Sequence, residues 1–409
     1  MKKILTLVGL CSLLILSVTR AYAAPGDPDY TFGFLGVKTD DDDIYDMRPS
    51  AIAQQSDGKL LVAGYYTTRT YNVARVLLRR YNTNGSVDLS FGLSGFAVAQ
   101  IYPSIVEIYG AGRCLLVQKD GRIVVGGDDY WGNAAAWRFN PNGELDTSFG
   151  SDGVVMLQTG PADATTAVIS QGKTLFGVQR YYPDPAILKR LNSTGSVDTT
   201  FGNAGSVEII YSNQPTVAVN PSNGALVVAG SENNTPALQH FNSNGTYDTA
   251  YGVDGIVSVP LSTSCGTYTM TLHWFSSLVI QSNGNMIAGG AVQPIGGCTL
   301  ASCYGNGIVR LRANDALDTS YGINGFAVRC DGRVTDPRIK LVSNVSNQIL
   351  ANLGTPITGT SDRFRRFTSA GFQNLVFTGE TPADFLVQSD GKIVTVSGYG
   401  DLRLARYQP

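Results

Sequence analysis

The sequence has 409 residues, of which 15% are charged, and its formal net charge is −2. This balance excludes the strongly basic surface that nucleic-acid-binding proteins use. Short β-branched and aromatic runs lie between clusters of Gly, Asn, Asp and Ser, and this pattern predicts an all-β chain.

Residues 1–23 have the pattern of an export signal. Two lysines precede an apolar run over residues 4–18, and AYA at 21–23 fits a small-x-small cleavage site. The apolar run is shorter than the roughly 20 residues of a membrane-spanning helix, which argues against the alternative of a membrane anchor. We therefore expect a signal peptide cleaved after Ala23, and a secreted or periplasmic protein with no membrane span.

The rest of the chain is built on two motifs that recur in fixed order. The first motif is D-x-x-[FY]-G-x-x-G, and its copies begin at Asp29, Asp88, Asp146, Asp198, Asp248 and Asp318. The second is a D-G, N-G or Q-G turn followed by an apolar strand, found at 55–64, 118–127, 170–178, 222–230, 281–290 and 388–398, with a degenerate copy at 345–354. The seven turns define units one to seven in chain order. Unit six has lost its Phe-Gly copy and retains only residues 368–377.

Each part of the repeat has a mechanical interpretation. The glycine turns supply positive-φ residues for a hairpin, and the strand that follows is apolar enough to be buried on both faces. The Asp of the first motif is expected to accept backbone hydrogen bonds, its aromatic ring to pack between neighbouring units, and its glycines to allow a sharp turn. Each unit therefore has four strands, which we name A, B, C and D.

Four-stranded units repeated radially are propeller blades, and an open solenoid is the alternative. Unit seven, over residues 383–407, has strands A, B and C only. A stretch of the missing D type lies at the other end of the chain, around residues 30–38. A closed ring would join the two and remove exposed strand edges. We therefore predict an all-β, seven-bladed β-propeller, a single domain over residues 24–409, closed by the N-terminal strand completing the C-terminal blade.

The two motifs together resemble the delta-60 repeat family of bacterial exported proteins over nearly the whole mature chain. The resemblance implies a β-propeller-like array. It implies no established activity, so it supplies no catalytic residues. Unit six departs from the family pattern.

The connections between strands B and C, and between D and the next A, share one face in this topology. They are rich in aromatic residues, and the ligand-binding candidates are Tyr65, Tyr66, Tyr130, Trp131, Tyr181, Tyr182, Tyr304 and Tyr399. Exposed Tyr and Trp suit sugars, peptides or a protein partner, whereas rings packed against the outer strands are the alternative. We predict a non-enzymatic binding or scaffold propeller that recognises a glycan, peptide or protein through this face, and we expect a monomer.

Two alternatives stay open. A secreted hydrolase could act on glycans through loop carboxylates such as Asp128 and Asp129, and a purely structural surface module is the other. The acidic run from Asp40 to Asp43 could hold Ca²⁺, but its spacing is not the D-x-D-x-D-G of a calcium loop, so we favour a solvated acidic loop. The two histidines, His240 and His273, lie in no metal-binding motif, so we predict no catalytic residues and no cofactor.

The cysteines divide into two groups. Cys114 occupies a strand-A slot that holds small residues elsewhere, which predicts a buried free thiol. The four around unit five are predicted to form disulfides in an oxidising compartment: Cys265, Cys298, Cys303 and Cys330. Of the three possible connectivities, we favour Cys265–Cys298 with Cys303–Cys330, and four reduced thiols are the alternative.

Overall fold

The structure is a computed structural model that describes residues 23–41, 45–68, 74–97, 99–101, 104–106, 110–181, 184–233, 235–265, 268–295, 305–328, 334–336, 339–343, 346–353, 355–356, 364–377, 381–398 and 400–409. Every regular element within these residues is a β-strand, so the prediction of an all-β chain is confirmed. No helix in this part of the chain is long and apolar enough to cross a membrane. The predicted signal peptide falls almost wholly outside the described residues.

The strands are short and follow one another closely along the chain. The first third contains β1 (Val37–Asp40), β2 (Tyr45–Gln54), β3 (Leu60–Thr68), β4 (Arg75–Tyr81), β5 (Ala99–Ile101), β6 (Ser104–Val106), β7 (Gly110–Val117), β8 (Ile123–Asp129) and β9 (Asn133–Phe139). The middle contains β10 (Val154–Ser170), β11 (Lys173–Arg180), β12 (Ile187–Leu191), β13 (Ser206–Glu208), β14 (Tyr211–Val219), β15 (Leu226–Glu232), β16 (Thr235–Phe241), β17 (Ile256–Ser258), β18 (Ser262–Cys265) and β19 (Tyr268–Ile280). The last part contains β20 (Met286–Pro294), β21 (Gly305–Leu311), β22 (Phe326–Val328), β23 (Val334–Asp336), β24 (Lys340–Ser343), β25 (Ile349–Asn352), β26 (Thr355–Pro356), β27 (Phe364–Phe367), β28 (Gln373–Phe377), β29 (Asp384–Val387), β30 (Ile393–Ser397) and β31 (Leu402–Tyr407).

The repeat units form antiparallel sheets whose consecutive strands are neighbours. Unit four is the sheet β14-β15-β16-β17, and unit six is β24-β25-β27-β28. Unit five is β19-β20-β21-β22, extended at its inner edge by β18. Two small two-stranded sheets, β5-β6 and β23-β26, lie outside these units.

Two units depart from the simple four-strand scheme. In unit one, the described part of strand D forms a bridge between Arg79 and Phe96, and the sheet is β2-β3-β4. Units two and three share β10, which serves as strand D of unit two and strand A of unit three. This strand bends at register shifts near Gln158 and Ala164, so a continuous strand replaces the expected connection between the two units.

The two ends of the chain meet in one sheet. Strand β1 pairs antiparallel with β31, in a register that sets Val37 opposite Ala405 and Asp40 opposite Leu402, and the sheet order is β1-β31-β30-β29. The innermost strands contact one another in the order β2, β7, β10, β14, β19, β24, β29, and β29 in turn contacts β2.

The apolar core lies between adjacent sheets. Leu61 of unit one packs in one cluster with Val125 of unit two, and Val62, on the opposite face of the same strand, packs with Val394 of unit seven. Three successive residues of β3, Leu61, Val62 and Ala63, are fully buried. The prediction that strand B is buried on both faces is therefore confirmed.

A charged and aromatic cluster joins unit one to unit two. The Arg80 guanidinium lies 4.4 Å from the centroid of the buried Phe91 ring and donates to Asp88 at 2.8 Å. A second guanidinium nitrogen donates to the carbonyl of Pro141 in unit two at 2.6 Å. Gly143 of the same turn packs so closely on Phe91 that an added Cβ would lie 2.9 Å from the ring. We call this set the junction cluster, and it confirms the interpretation of the Phe-Gly motif as an inter-unit contact.

The junction cluster recurs along the chain. Its members are Arg138, Asp146 and Phe149 in unit two, Arg190, Asp198 and Phe201 in unit three, Arg310, Asp318 and Tyr321 in unit five, and Arg406, Asp29 and Phe32 between the two chain ends. In unit four His240 takes the arginine position: it stacks on Tyr251 at 3.9 Å and contacts Asp315 of unit five at 3.1 Å.

Candidate functional site

The rings predicted near unit one lie in a strand. Tyr65 and Tyr66 both belong to β3, which extends past the apolar run and includes the start of the predicted loop. Tyr66 packs edge-on against Tyr45 with ring centroids 5.0 Å apart, and Arg48 donates to the Tyr65 hydroxyl at 3.4 Å. Both rings are half-buried, and the Tyr66 ring stabilises the packing of this sheet.

Among the described residues of the predicted face, Tyr130 and Trp131 form the most exposed aromatic pair. They lie in the turn after β8, their exposed fractions are 62% and 78%, and their rings meet edge to face at 5.8 Å. The Asp129 carboxylate accepts hydrogen bonds from the backbone N–H groups of Trp131 and Asn133, both at 2.9 Å. Asp129 therefore fixes the turn that presents the two rings.

Tyr181 lies on the opposite side of the bend in β10. Its hydroxyl donates to Asp163 at 2.8 Å, and its backbone N–H donates to the carbonyl of Pro161 at 3.3 Å. The neighbouring Ala162 donates its N–H to the carbonyl of Gly132 in the aromatic turn at 2.9 Å. Backbone hydrogen bonds thus join the bend over residues 160–163 to the Tyr130–Trp131 turn and to Tyr181. We call these three aromatic residues and the bend the aromatic patch. The remaining candidates, Tyr182, Tyr304 and Tyr399, lie outside the described residues.

Charged groups lie beside the aromatic patch. Asp128, at the end of β8, accepts a hydrogen bond from Arg113 at 2.9 Å. Burial raises the pKa of Asp128, the Arg113 charge lowers it, and Asp163 raises it, so that the pKa settles at about 6. The hydrogen bond to Asp163 is the largest of the effects that raise the pKa of the Tyr181 hydroxyl.

Sequence reasoning singled out Asp128 but missed Arg113 and Asp163. These residues come from strand A of two different units, so no local motif joins them. A signal did exist in the repeat. Arg113 occupies the bulge position of strand A, and the corresponding bulges hold Ser50, Thr165 and Ser276. A charged residue at that position is an exception to the repeat.

Asp40, the first residue of the acidic run, forms an ion pair. Asp40 is buried, lies 2.6 Å from Arg79 and accepts a hydrogen bond from the Tyr81 hydroxyl at 2.6 Å. Asp42 and Asp43 lie outside the described residues. Among the side chains that the structure does describe, no cluster of three or more His, Cys, Asp or Glu could hold a metal ion.

Cys114 is a buried free thiol, as predicted. Burial raises its pKa to about 12, although a backbone hydrogen bond from Gly126 acts in the opposite direction, so this thiol is unreactive at neutral pH. Cys265 lies in β18, where only its backbone is described. Cys298, Cys303 and Cys330 lie outside the described residues.

Two segments of the sequence match a known family model. Residues 55–91 and 118–149 match the family described as a domain of unknown function (DUF5122) beta-propeller. The segments contain strands B and C of units one and two and the start of the Phe-Gly motif, up to Phe91 and Phe149, and the match supports a propeller repeat family. A comparison with curated proteins finds no match.

Solved structures similar to this chain include a WD40 domain and a propeller. The WD40 domain of coronin from Toxoplasma gondii is 9% identical, with a TM-score of 0.51 over 91% of this chain and 86% of that one. The Dos1 propeller is 11% identical, with a TM-score of 0.47 over 88% and 77% of the two chains. BamB from Moraxella catarrhalis is 11% identical, with a TM-score of 0.42 over 91% and 98%. The similarity to coronin concerns the fold alone, and with the sheets described above it shows that this chain has a β-propeller fold.

Proposed function

We propose that this protein is an exported, non-enzymatic propeller that binds a glycan, peptide or protein through the aromatic patch. The observation that carries the proposal is that three exposed rings, Tyr130, Trp131 and Tyr181, are held by backbone hydrogen bonds on one bend of β10. Rings fixed before binding lose little conformational entropy when a ligand docks. The neighbouring Arg113, Asp128 and Asp163 supply the few polar groups that orient a ligand.

The test is a glycan and peptide array probed with the mature chain, followed by affinity measurements on the hits. We expect the double variant Tyr130→Ala/Trp131→Ala to lose about tenfold or more in affinity, because exposed aromatic anchors carry much of the energy of a binding surface. Tyr30→Ala is the matched control, since Tyr30 is 66% exposed but belongs to the N-terminal segment. Unchanged affinity in the double variant, with the fold intact, would count against the patch.

A hydrolase acting on glycans is the second candidate, and the environment of Asp128 favours it. A carboxylic acid with a raised pKa beside a second carboxylate is an arrangement that glycoside hydrolysis uses. Asp128→Asn would abolish such an activity, whereas Asp129→Asn would only loosen the aromatic turn. Release of reducing sugar ends from array hits by wild-type protein, lost in Asp128→Asn, would favour hydrolysis over binding.

We further propose seven blades closed into a ring by the N-terminal strand. The pairing of β1 with β31 and the circular order of contacts among the seven inner strands support this closure. Membership of the delta-60 repeat family, export through residues 1–23 and the monomeric state are proposals supported by the sequence. The pairing Cys265–Cys298 with Cys303–Cys330 likewise stays a prediction.

A further inference from the structure

The junction cluster of unit six has lost its carboxylate. Asn374 stands eight residues after Arg366, the separation that links Arg80 to Asp88 in unit one. Arg366 donates to the Asn374 amide oxygen at 3.4 Å, whereas Arg80 reaches Asp88 at 2.8 Å. A long bond to a neutral amide has therefore replaced a short ion pair.

The lysine that accompanies the carboxylate has also gone. In unit one Lys59, just after the hairpin turn, pairs with Asp88 at 2.9 Å, and unit six has Gln348 at that position. Arg366 has kept its charge, because a guanidinium does not lose its proton in proteins. It is only 8% exposed, and within the described chain it makes no ion pair. A buried cation without a counterion is unfavourable.

The aromatic ring of the motif has also moved away. Phe377 follows Asn374 at the spacing of the motif, but the next residue is Thr378 in place of glycine. Phe377 instead ends β28 and packs on Phe364, with ring centroids 4.6 Å apart. Among the residues that the structure describes, the ring that stacks under Arg80 in unit one thus has no counterpart under Arg366.

A cavity of about 300 Å³ lies between units six and seven, and Arg366 lines it. Leu350, Val387 and Ile393 form apolar parts of its wall. This volume is at the lower end of the range for small-molecule sites, and it equals about ten water molecules at their share of liquid volume. The cavity therefore combines one buried cation with an apolar wall.

We propose that this cavity binds a carboxylate ligand, whose oxygens take the place of the missing aspartate on Arg366 and whose apolar part lies against Leu350, Val387 and Ile393. The planar guanidinium matches the two oxygens of a carboxylate in a paired geometry. The same group could come from a free organic acid or from an acidic side chain of a peptide.

Ligand-observed fluorine NMR on the mature chain tests the proposal with para-fluorobenzoate as the probe and neutral para-fluorobenzamide as its isostere. We expect the acid to bind and the amide to bind at least about tenfold more weakly, because a hydrogen-bonded charge is worth about that factor. Arg366→Gln should lower the affinity for para-fluorobenzoate to that of para-fluorobenzamide. Arg365→Gln is the matched control, since successive residues of a strand point to opposite faces, and it should bind like wild type.

Asn374→Asp gives a second, independent readout. This substitution rebuilds the ion pair of the other units, so it should raise the melting temperature and prevent binding of para-fluorobenzoate. Competition by a blocked glutamate peptide would identify a peptide as the source of the carboxylate, and lack of competition would identify a free acid. Three results would overturn the proposal: equal binding of para-fluorobenzoate and para-fluorobenzamide, unchanged binding of para-fluorobenzoate in Arg366→Gln, or no binding of para-fluorobenzoate or the glutamate peptide to the mature chain.

Discussion

At the scale of single residues, one substitution in the junction cluster is accompanied by a second in the next unit. His240 is shorter than the arginine it replaces and cannot span the same contacts. The next unit compensates by placing Asp315, with a φ of 64°, where the other turns have a glycine such as Gly245, with a φ of 85°. The acid then comes from the neighbouring unit, and the contact between units is retained. Unit six is different, since Asn374 removes the acid and nothing in its described surroundings replaces it.

Asp198 provides a test of how much the junction cluster stabilises the fold. Its carboxylate is buried and pairs with Arg190 at 2.7 Å. Burial raises the pKa of Asp198, but hydrogen bonds from Lys173, Thr200 and Arg190 outweigh it and hold the pKa well below 3.8. We expect Asp198→Asn to lower the free energy of unfolding by about 3 kcal/mol at neutral pH, because it leaves a buried guanidinium without its counterion. Denaturant unfolding measures this loss.

The pH dependence of the same variant has a definite sign. An aspartate whose folded-state pKa lies below its unfolded value stabilises the fold above the unfolded pKa of about 3.9, and that stability is lost as pH falls toward the folded-state pKa. The difference between wild type and Asp198→Asn should thus be constant from neutral pH to about pH 5 and shrink below about pH 4. Asp152→Asn is the control, since Asp152 is exposed and Asn324 occupies the same turn position. A difference that stays constant into acid would show that the ion pair does not stabilise the fold.

At the scale of elements, the sequence predicted best what is encoded locally. Strands B and C were found because a glycine turn and an apolar run lie next to each other in the chain. Strand D of unit one was predicted as a strand, and its described part forms a bridge at Phe96. The continuity of β10 was not predicted, since it depends on how two units pack.

In the candidate site, too, local features were predicted and contacts between units were not. The exposed pair Tyr130 and Trp131 was predicted from a short loop rich in rings. The partners Arg113 and Asp163 were not, because strands of two units bring them together. The boundary of β3 was also missed, so Tyr65 and Tyr66 were assigned to a loop although they belong to the sheet.

The N-terminal segment offers a matched pair of substitutions at this scale. Phe32 is fully buried and lies under Arg406 at 4.7 Å, whereas Phe34, two residues later, is 80% exposed. We expect Phe32→Ala to lower the free energy of unfolding by about 3–5 kcal/mol, the usual loss for a buried phenylalanine. Phe34→Ala should stay within about 0.5 kcal/mol of wild type. Denaturant unfolding of both variants is the measurement, and similar small losses in the two would mean that this segment does not anchor unit seven.

At the scale of the whole molecule, the sheet β1-β31-β30-β29 ties residues from the two ends of the chain together. Its inner strand β29 contacts both β24 and β2. If the ring is closed as proposed, a defect in this sheet reaches the neighbours on both sides, whereas a defect in the terminal unit of an open row reaches one neighbour.

Removing residues 24–40 from the mature chain tests closure directly. The deletion exposes the edge of β31, leaves the buried Arg406 without Asp29 and removes the Phe32 ring. From these losses we expect the melting temperature to fall by about 10 °C or more. Hydrogen exchange should increase in β29, and also in β2, which lies across the junction from unit seven. A synthetic peptide of residues 24–41 should restore the melting temperature, and a scrambled peptide should not. A deletion variant that melts like the mature chain, or one whose faster exchange is confined to β29, β30 and β31, would contradict a ring closed by the N-terminal strand.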